Sequence, residues 1–243
     1  MTRPAKEKII VALDVPNLAS AVSLVEELGE TISWVKIGLQ LFTAEGPPIV
    51  HAMKNRGLKI FLDLKFHDIP HTALEAVRSA VALGAGMATI HLSGGSEMVR
   101  SAVEGAKDSS LLILGVTVLT SLDDDRLNEI GVQRTAEQQV LELVTLGQRC
   151  GLRGIVCSPL EIATLRSKFG TSLTIVTPGV RPSDSSTHDQ RRVMTPANAI
   201  RAGADFLVIG RPITAAASPR QAAARIADEI ADEIADTLSR ENS

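Results

Sequence analysis

The strongest constraint on the fold is a pattern that recurs along the whole chain: a short apolar run rich in β-branched residues, a polar loop, and an amphipathic helical stretch. The apolar runs are continuous rather than alternating, which is typical of parallel strands covered on the outside. Short connections join these units nearly everywhere, and no change in composition divides the chain into domains. Eight strands are predicted, at 8–13, 33–37, 57–62, 87–91, 111–118, 154–157, 173–177 and 205–209.

Helices are predicted between the strands from their periodicity and end signals. Asn17 is suited to cap the first helix, and Gly84 is a typical stop after the third. In the last helix Ile226, Ile230 and Ile234 recur every four residues, so we expect a buried stripe with the intervening acidic residues in solvent. The helices are predicted at 18–28, 46–56, 71–83, 96–106, 123–130, 135–150, 159–168, 197–202 and 219–238.

Eight βα units in about 250 residues match the size of a TIM (β/α)8 barrel. We therefore predict an α/β fold of this kind, as a single domain over residues 1–243. An open, doubly wound sheet is the alternative architecture. It is less favoured because no Gly-x-Gly-x-x-Gly sequence follows the first strand.

Composition argues against several classes of partner. The net charge of −3 and the pI of about 6.0 give no field that attracts nucleic acid or acidic membranes. Only 2% of the residues are aromatic, too few to stack bases, and no apolar run approaches the roughly 18 residues of a membrane span. The N-terminus does not resemble a signal peptide. Cys150 and Cys157 form neither a disulfide framework nor a ligand cluster. Taken together, the free thiols, the charge and the composition predict a cytoplasmic protein without nucleic-acid or membrane partners.

Charged and polar residues follow several of the predicted strands. In a TIM barrel the active site lies at the carboxyl ends of the strands, so these side chains are expected to converge. Asp63 and Lys65 are two apart in an extended segment and should project to the same side, with Asp68 in the loop beyond. A structural salt bridge at a strand end is the alternative interpretation. The residues at these ends are Asp14, Lys36, Asp63, Lys65, Thr120, Gly210 and Arg211.

Lys65 lies between two carboxylates in the sequence. Asp63 and Asp68 favour a charged ammonium, whereas a Schiff-base lysine needs surroundings that favour the neutral amine. Lys65 is therefore predicted to act as a proton donor or electrostatic stabiliser. Lys36 extends the cluster into a row of alternating charge that ends at Asp68. Such a row would be rigid, since opposite charges ~4 Å apart attract by roughly 4 kcal/mol at an intermediate dielectric constant.

The last βα unit has the composition of a phosphate site. Gly210 and Arg211 follow the eighth strand, and TIM barrels often bind phosphate with the loops after strands seven and eight. Glycine lets backbone N–H groups approach the oxygens, and arginine offers a two-pronged donor. Arg181 and Gln190 lie in the polar segment 178–195, a candidate lid. A tight turn and an ordinary surface loop are the alternative interpretations.

One pair of histidines has a spacing found in metal sites. His67 and His71 are four apart, but Pro70 lies between them and no third ligand is evident. We therefore predict no metal site. His91 is expected to be a satisfied histidine at the barrel rim, and Cys157 a core residue.

The segment Asp63-Leu-Lys65-Phe-His-Asp68-Ile-Pro-His-Thr72 resembles the signature of the orotidine 5′-phosphate decarboxylase family. The shorter Asp-x-Lys-x-x-Asp pattern is shared with keto-sugar-phosphate decarboxylases and synthases, but Lys-Phe-His-Asp-Ile-Pro is much more specific. His71 departs from the family pattern, where asparagine is expected in many bacterial members. Further blocks of the family are matched in order at 11–14, 35–38, 116–121, 177–182, 189–192 and 209–213.

The resemblance implies a reaction in which orotidine 5′-monophosphate loses CO2 to give UMP, the last step of de novo pyrimidine synthesis. It implies no metal and no organic cofactor. Lys65 would protonate C6 of the pyrimidine, and Asp63 would lie against the departing carboxylate. Lys36 and Asp14 would hold the ribose hydroxyls and orient the charged row.

The resemblance also implies a homodimer with active sites at the interface, where Asp68 and Thr72 reach the partner's site. The remaining substrate contacts are implied for Thr120 and Ser121 at the pyrimidine, for Gln190, Gly210 and Arg211 at the phosphate, and for Pro178 and Arg181 in the closing segment.

Two other functions are open at this point. A metal-dependent decarboxylase or synthase acting on a keto-sugar phosphate would use the same Asp-x-Lys-x-x-Asp pattern but would require magnesium. A catalytically silent barrel that binds a nucleotide as a sensor is the third hypothesis. The electrostatic cost of a full row of charges argues against the sensor, because binding alone does not need it.

Overall fold

The predicted barrel is confirmed in a computed structural model, which describes residues 3–181 and 194–241. Eight parallel strands pair in sequence order, and the last pairs with the first to close the sheet. The strands are β1 (Ile9–Ala12), β2 (Trp34–Gly38), β3 (Lys59–Phe66), β4 (Met87–His91), β5 (Leu112–Val116), β6 (Gly154–Val156), β7 (Thr174–Thr177) and β8 (Phe206–Ile209).

Helices surround the barrel and connect successive strands. Asn17 caps the helix between β1 and β2 as predicted, since its Oδ1 accepts the Ser20 N–H at 2.9 Å. Among the described residues, no helix is both long and apolar enough to cross a membrane. The helices are α1 (Ala5–Lys8), α2 (Leu18–Leu28), α3 (Leu39–Glu45), α4 (Pro47–Lys54), α5 (Pro70–Ala82), α6 (Gly95–Gly105), α7 (Asp124–Glu129), α8 (Ala136–Arg149), α9 (Ile162–Phe169), α10 (Pro196–Arg201), α11 (Arg211–Thr214) and α12 (Pro219–Glu241).

The connection between β2 and β3 differs from the prediction of one helix over 46–56. Two helices, α3 and α4, meet at Gly46, whose φ of 62° ends the first of them. Pro47 then begins α4, because proline has the φ of a first helical turn and lacks the N–H that such a turn leaves unpaired. Helices α1 and α11 were also not predicted, and both are single turns of four residues.

Inward-facing side chains fill the barrel below the carboxyl ends of its strands. Trp34 and Phe206 meet edge to face there, with ring centroids 5.8 Å apart. Because side chains alternate along a strand, the next inward positions toward the carboxyl ends lie two residues further on. We call the following cluster the interior core: Ile10, Ala12, Trp34, Phe61, Met87, Leu114, Val176, Phe206 and Val208.

The last helix, α12, carries the predicted buried stripe, since Ile226 and Ile230 are buried. The expectation that its acidic residues all face solvent was wrong. Glu233 is only 4% exposed and forms an ion pair with Arg201 of α10. Glu229 accepts the Ala197 N–H at 3.0 Å. These carboxylates fasten α12 to the helix that precedes β8, a contact that helical periodicity alone does not reveal.

Candidate active site

Four charged side chains form a continuous row above the interior core. Lys36 Nζ lies 3.1 Å from Asp14 Oδ1 and 3.6 Å from Asp63 Oδ2. Lys65 Nζ lies 2.9 Å from Asp63 Oδ1. We call Asp14, Lys36, Asp63 and Lys65 the charge row. Its side chains extend the inward positions of β1, β2 and β3, so the register that packs the core also brings these charges together.

The middle of the charge row is shielded from water. The side chains of Lys36 and Asp63 are 12% and 13% exposed, whereas that of Asp14 is 61% exposed. Burial acts to raise the pKa of the Asp63 carboxyl, but Lys36, Lys65 and hydrogen bonds from Lys65 and Thr89 outweigh it and hold the pKa below its ordinary value. Asp63 is therefore a fixed anion held between two cations.

Strand β3 does not end at residue 62 as predicted but continues irregularly to Phe66. Leu62 pairs with Ala88 and Phe66 pairs with Ile90, so three residues of β3 bulge opposite Thr89 of β4. Lys65 lies in this bulge with φ of 51°. A left-handed backbone costs a residue with a Cβ roughly 1–2 kcal/mol, and such strain persists only where the surroundings enforce it.

Sequence reasoning missed two residues that shape the charge row. Thr89 is fully buried, and its hydroxyl contacts both Asp63 and the Lys65 backbone. Its signal in the sequence was a hydroxyl between the apolar residues Ala88 and Ile90. Gly38 leaves room for an ammonium, because a Cβ there would lie 2.9 Å from Lys36 Nζ. No sequence pattern indicates that approach, since it depends on how β2 ends.

A cavity of about 190 Å³ opens beside the charge row. One side of it is charged, formed by Lys36, Asp63 and Lys65, and the predicted residues Thr120 and Pro178 also line it. The opposite side is largely apolar. We call this the apolar-walled cavity, and its other lining residues are Phe61, Val116, Val118, Leu119, Val156, Cys157 and Val208.

A second cavity of about 370 Å³ adjoins the first, with Lys36 and Pro178 lining both. Arg181 and Arg211 line it, and Arg181 is only 7% exposed. We call it the arginine cavity; its other lining residues are Ala12, Asp14, Gly179, Val180, Val208, Gly210, Pro212 and Thr214. The predicted phosphate residues Gly210 and Arg211 are thus brought next to the charge row, and the arrangement suits a ligand with an anionic end and a flat, partly apolar end.

Other predicted residues lie elsewhere. Asp68 is exposed and its Oδ1 accepts the Ile69 N–H at 2.7 Å. Within the described residues it forms no ion pair with Lys65, so the predicted row does not reach Asp68 inside one chain. Thr72 and Ser121 are also exposed and line neither cavity. Gln190, like the neighbouring Arg191 and Arg192, lies outside the described residues.

The histidines near the site pack against each other. The rings of His67 and His91 are 5.3 Å apart between centroids. Burial, with smaller contributions from His67 and Lys65, lowers the pKa of His91. Cys157 is buried as predicted, and burial raises the pKa of its thiol. The part of the chain that is described contains no group of three or more His, Cys, Asp or Glu side chains arranged to hold a metal ion.

Comparison with known proteins gives consistent matches over nearly the whole chain. The model of the "Orotidine 5′-phosphate decarboxylase / HUMPS family" matches residues 7–226. A relative named orotidine 5′-phosphate decarboxylase, from Idiomarina loihiensis, is 50% identical over 224 residues, which cover 91% of this chain and 97% of that protein. One of the same name from Moorella thermoacetica is 49% identical over 233 residues, covering 93% and 92%. The crystal structure of orotidine 5′-phosphate decarboxylase from Lactobacillus acidophilus superposes with a TM-score of 0.82 at 36% identity, covering 92% and 99%.

Proposed function

Since the chain belongs to the orotidine 5′-phosphate decarboxylase / HUMPS family, we propose that it converts orotidine 5′-phosphate to UMP and CO2, a step of pyrimidine biosynthesis. The observation that carries the proposal is the charge row, whose residues line both an apolar-walled cavity and an adjoining cavity that contains two arginines. The names of these two relatives support the same reaction. They do not favour the keto-sugar-phosphate alternative.

The proposed chemistry breaks the bond between C6 and its carboxylate. The electron pair of that bond stays on C6 and takes a proton from the Lys65 ammonium, and the neutral amine then regains a proton from water. Asp63, held as an anion 2.9 Å from Lys65 Nζ, would orient the donor and repel the substrate carboxylate until CO2 leaves. Without a group to delocalise the carbanion, preorganised charge has to supply most of a barrier reduction of roughly 20 kcal/mol.

The two cavities suggest how the rest of the substrate binds. The apolar-walled cavity, with Thr120 and Pro178, would hold the pyrimidine, and Ser121 would approach it from the rim. Lys36 and the largely exposed Asp14 would bind the ribose hydroxyls between the cavities. Binding energy from the remote phosphate would be used to close the site over the reacting carbon. In the arginine cavity, the phosphate ligands would be Arg181, Arg211 and the Gly210 N–H, joined by Gln190.

The proposal includes a homodimer in which Asp68 and Thr72 complete the partner's site. Both are exposed and lie where α5 begins, beside Ile69, an apolar side chain that is 67% exposed. A second copy of the chain would cover this surface and bring the Asp68 carboxylate toward the partner's Lys65, extending the charge row. A cytoplasmic location is also proposed, because Cys150 and Cys157 are free thiols.

The function is tested by mixing the protein with orotidine 5′-phosphate in excess EDTA and following the absorbance of the orotate ring. We expect turnover, since the proposed chemistry uses only side chains of the protein. If the protein shows no turnover even when EDTA is omitted, the proposal is contradicted. Turnover that is lost when EDTA is added would favour the metal-dependent alternative. Tight binding of UMP without any turnover would favour the nucleotide sensor.

The shared site is tested by mixing two inactive variants, Lys65→Ala and Asp68→Ala, under conditions where dimers exchange subunits. Each mixed dimer keeps one complete site, and half of randomly re-formed dimers are mixed, so about a quarter of the wild-type activity should return. If Asp68 acted within its own chain, mixing would restore nothing. Light scattering that gives a monomer at the assay concentration would also contradict the shared site.

A further inference from the structure

We propose that Thr89 is a positioning residue that fixes the geometry of the Asp63–Lys65 pair. It touches no substrate in this proposal and acts through the two charged residues. Thr89 lies on β4, faces the barrel interior and is 0% exposed. The kinetic part of the inference rests on the proposed function, whereas its structural part does not.

The Thr89 hydroxyl makes two directional contacts with the charge row. Its Oγ1 donates to Asp63 Oδ1 at 3.0 Å and accepts the Lys65 backbone N–H at 2.9 Å. The backbone N–H can only donate, so the hydroxyl oxygen must accept from it. The single hydrogen of the hydroxyl is then left to donate to Asp63, and the two contacts together fix the orientation of the hydroxyl. The residue therefore connects the anion of the pair to the backbone that carries the cation.

The backbone contact compensates for a gap in the sheet. Asp63, Leu64 and Lys65 bulge from β3 opposite the single residue Thr89, so the regular ladder between β3 and β4 is interrupted there. A buried N–H without a partner destabilises the structure around it. The Thr89 hydroxyl accepts the Lys65 N–H at the end of this bulge, where Lys65 has the left-handed φ of 51°.

The contact between the Thr89 hydroxyl and the Asp63 carboxylate determines which oxygen of Asp63 faces which lysine. Oδ1 accepts from both Lys65 Nζ and Thr89 Oγ1, whereas Oδ2 faces Lys36 at 3.6 Å. A quarter turn of the carboxylate about its Cβ–Cγ bond would break all three interactions. With the hydroxyl present, one oxygen is reserved for the proposed proton donor and the other for the lysine at the ribose.

The decisive variants are Thr89→Val, which keeps the side-chain shape and removes the hydroxyl, and Thr89→Ser, which keeps the hydroxyl. We expect Thr89→Val to lower kcat about 10²-fold, the size of effect that a misplacement near 1 Å produces. KM for orotidine 5′-phosphate should change much less, because the phosphate contacts are untouched. Thr89→Ser should restore kcat to within about threefold of the wild type.

The matched control is Thr117→Val. Thr117 is also a buried threonine, and its hydroxyl donates to the Val156 carbonyl at 3.2 Å rather than to a charged group. Removal of either hydroxyl should lower the melting temperature, but Thr117→Val should leave kcat within about twofold of the wild type. Equal losses of kcat in Thr89→Val and Thr117→Val would mean that Thr89 acts only through stability, and would overturn the proposal.

A measurement without turnover separates this inference from the proposed function. The groups facing the Asp63 carboxyl are Lys36 from β2, Lys65 from β3 and Thr89 from β4, and the carboxylate also acts on the His91 ring of β4. Removing the Thr89 donor leaves the anion less stabilised, so the Asp63 pKa followed by carboxyl carbon NMR should rise in Thr89→Val and not in Thr117→Val. An unchanged Asp63 titration together with wild-type kcat in Thr89→Val would refute the positioning role, whatever reaction the protein catalyses.

Discussion

The interior core and the charge row are built by the same strands, one inward-facing position apart, yet they depend on different interactions. In the interior core, Trp34 and Phe61 are stabilised by burial, which contributes roughly 25 cal/mol per Å² and has no preferred direction. Two residues further on, Lys36 and Asp63 are held by contacts whose value depends on distance and orientation. A single backbone register thus serves both packing and chemistry, and substitutions in the two layers should have separable effects.

The largest effect is expected in the charge row. Lys65→Ala should lower kcat by about 10⁴-fold, the upper end for loss of a general acid, because no other described ammonium touches Asp63 Oδ1. Circular dichroism and the unfolding midpoint should show that the barrel remains folded. Activity within tenfold of the wild type would mean that Lys65 is not the proton donor.

The opposite behaviour is expected one layer below. Leu114 is fully buried in the interior core and lines neither cavity. Leu114→Ala should lower the free energy of unfolding by about 2–5 kcal/mol, measured by urea denaturation. Well below its melting temperature the variant should keep the wild-type kcat. A fall in kcat comparable to that of Lys65→Ala would show that the two layers are not separable.

A smaller effect is expected at the arginine cavity. Arg211→Ala should lower kcat/KM by about 10- to 100-fold, mainly through KM, since a hydrogen bond to a charged group contributes roughly 1.5–3 kcal/mol. Arg100→Ala, which removes an exposed arginine from α6, is the control and should change neither constant. If orotidine without its phosphate bound the wild type as well as the nucleotide does, the phosphate assignment would be wrong.

The smallest effect concerns pH and stability. The Asp63 pKa is lowered in the folded protein, so its contribution to stability is present above the unfolded value of about 3.9 and is lost as pH falls through the folded value. Asp63→Asn should flatten the acid limb of the stability curve below about pH 4. Urea denaturation at several pH values measures the free energy of unfolding of the wild type and of Asp63→Asn. If the two curves against pH were parallel, the lowered pKa would not belong to Asp63.

The barrel and the core of the site were predictable because both follow from patterns of neighbouring residues in the sequence. Apolar runs that end in Asp14, Lys36 and Asp63 indicate strands with charged carboxyl ends, and the TIM architecture then brings those ends together. The bulge at Lys65 and the part played by Thr89 were not predictable, because they arise from pairing between β3 and β4. Local sequence does not determine how many residues of one strand face its neighbour.

The charge row and the arginine cavity also differ in where the chain encodes them. Asp14, Lys36, Asp63, Lys65 and the supporting Thr89 all precede β5, whereas Gly179, Arg181 and Arg211 come from β7 and beyond. The charge row and the groups proposed to bind phosphate therefore belong to opposite halves of the polypeptide. During synthesis on the ribosome, the half that carries the charge row emerges first. The site proposed to bind the phosphate forms only after β8 has been made and has closed the barrel. A chain divided between β4 and β5 would place the charge row on one fragment and the phosphate site on the other, and the two fragments would have to reassociate before the protein could be active.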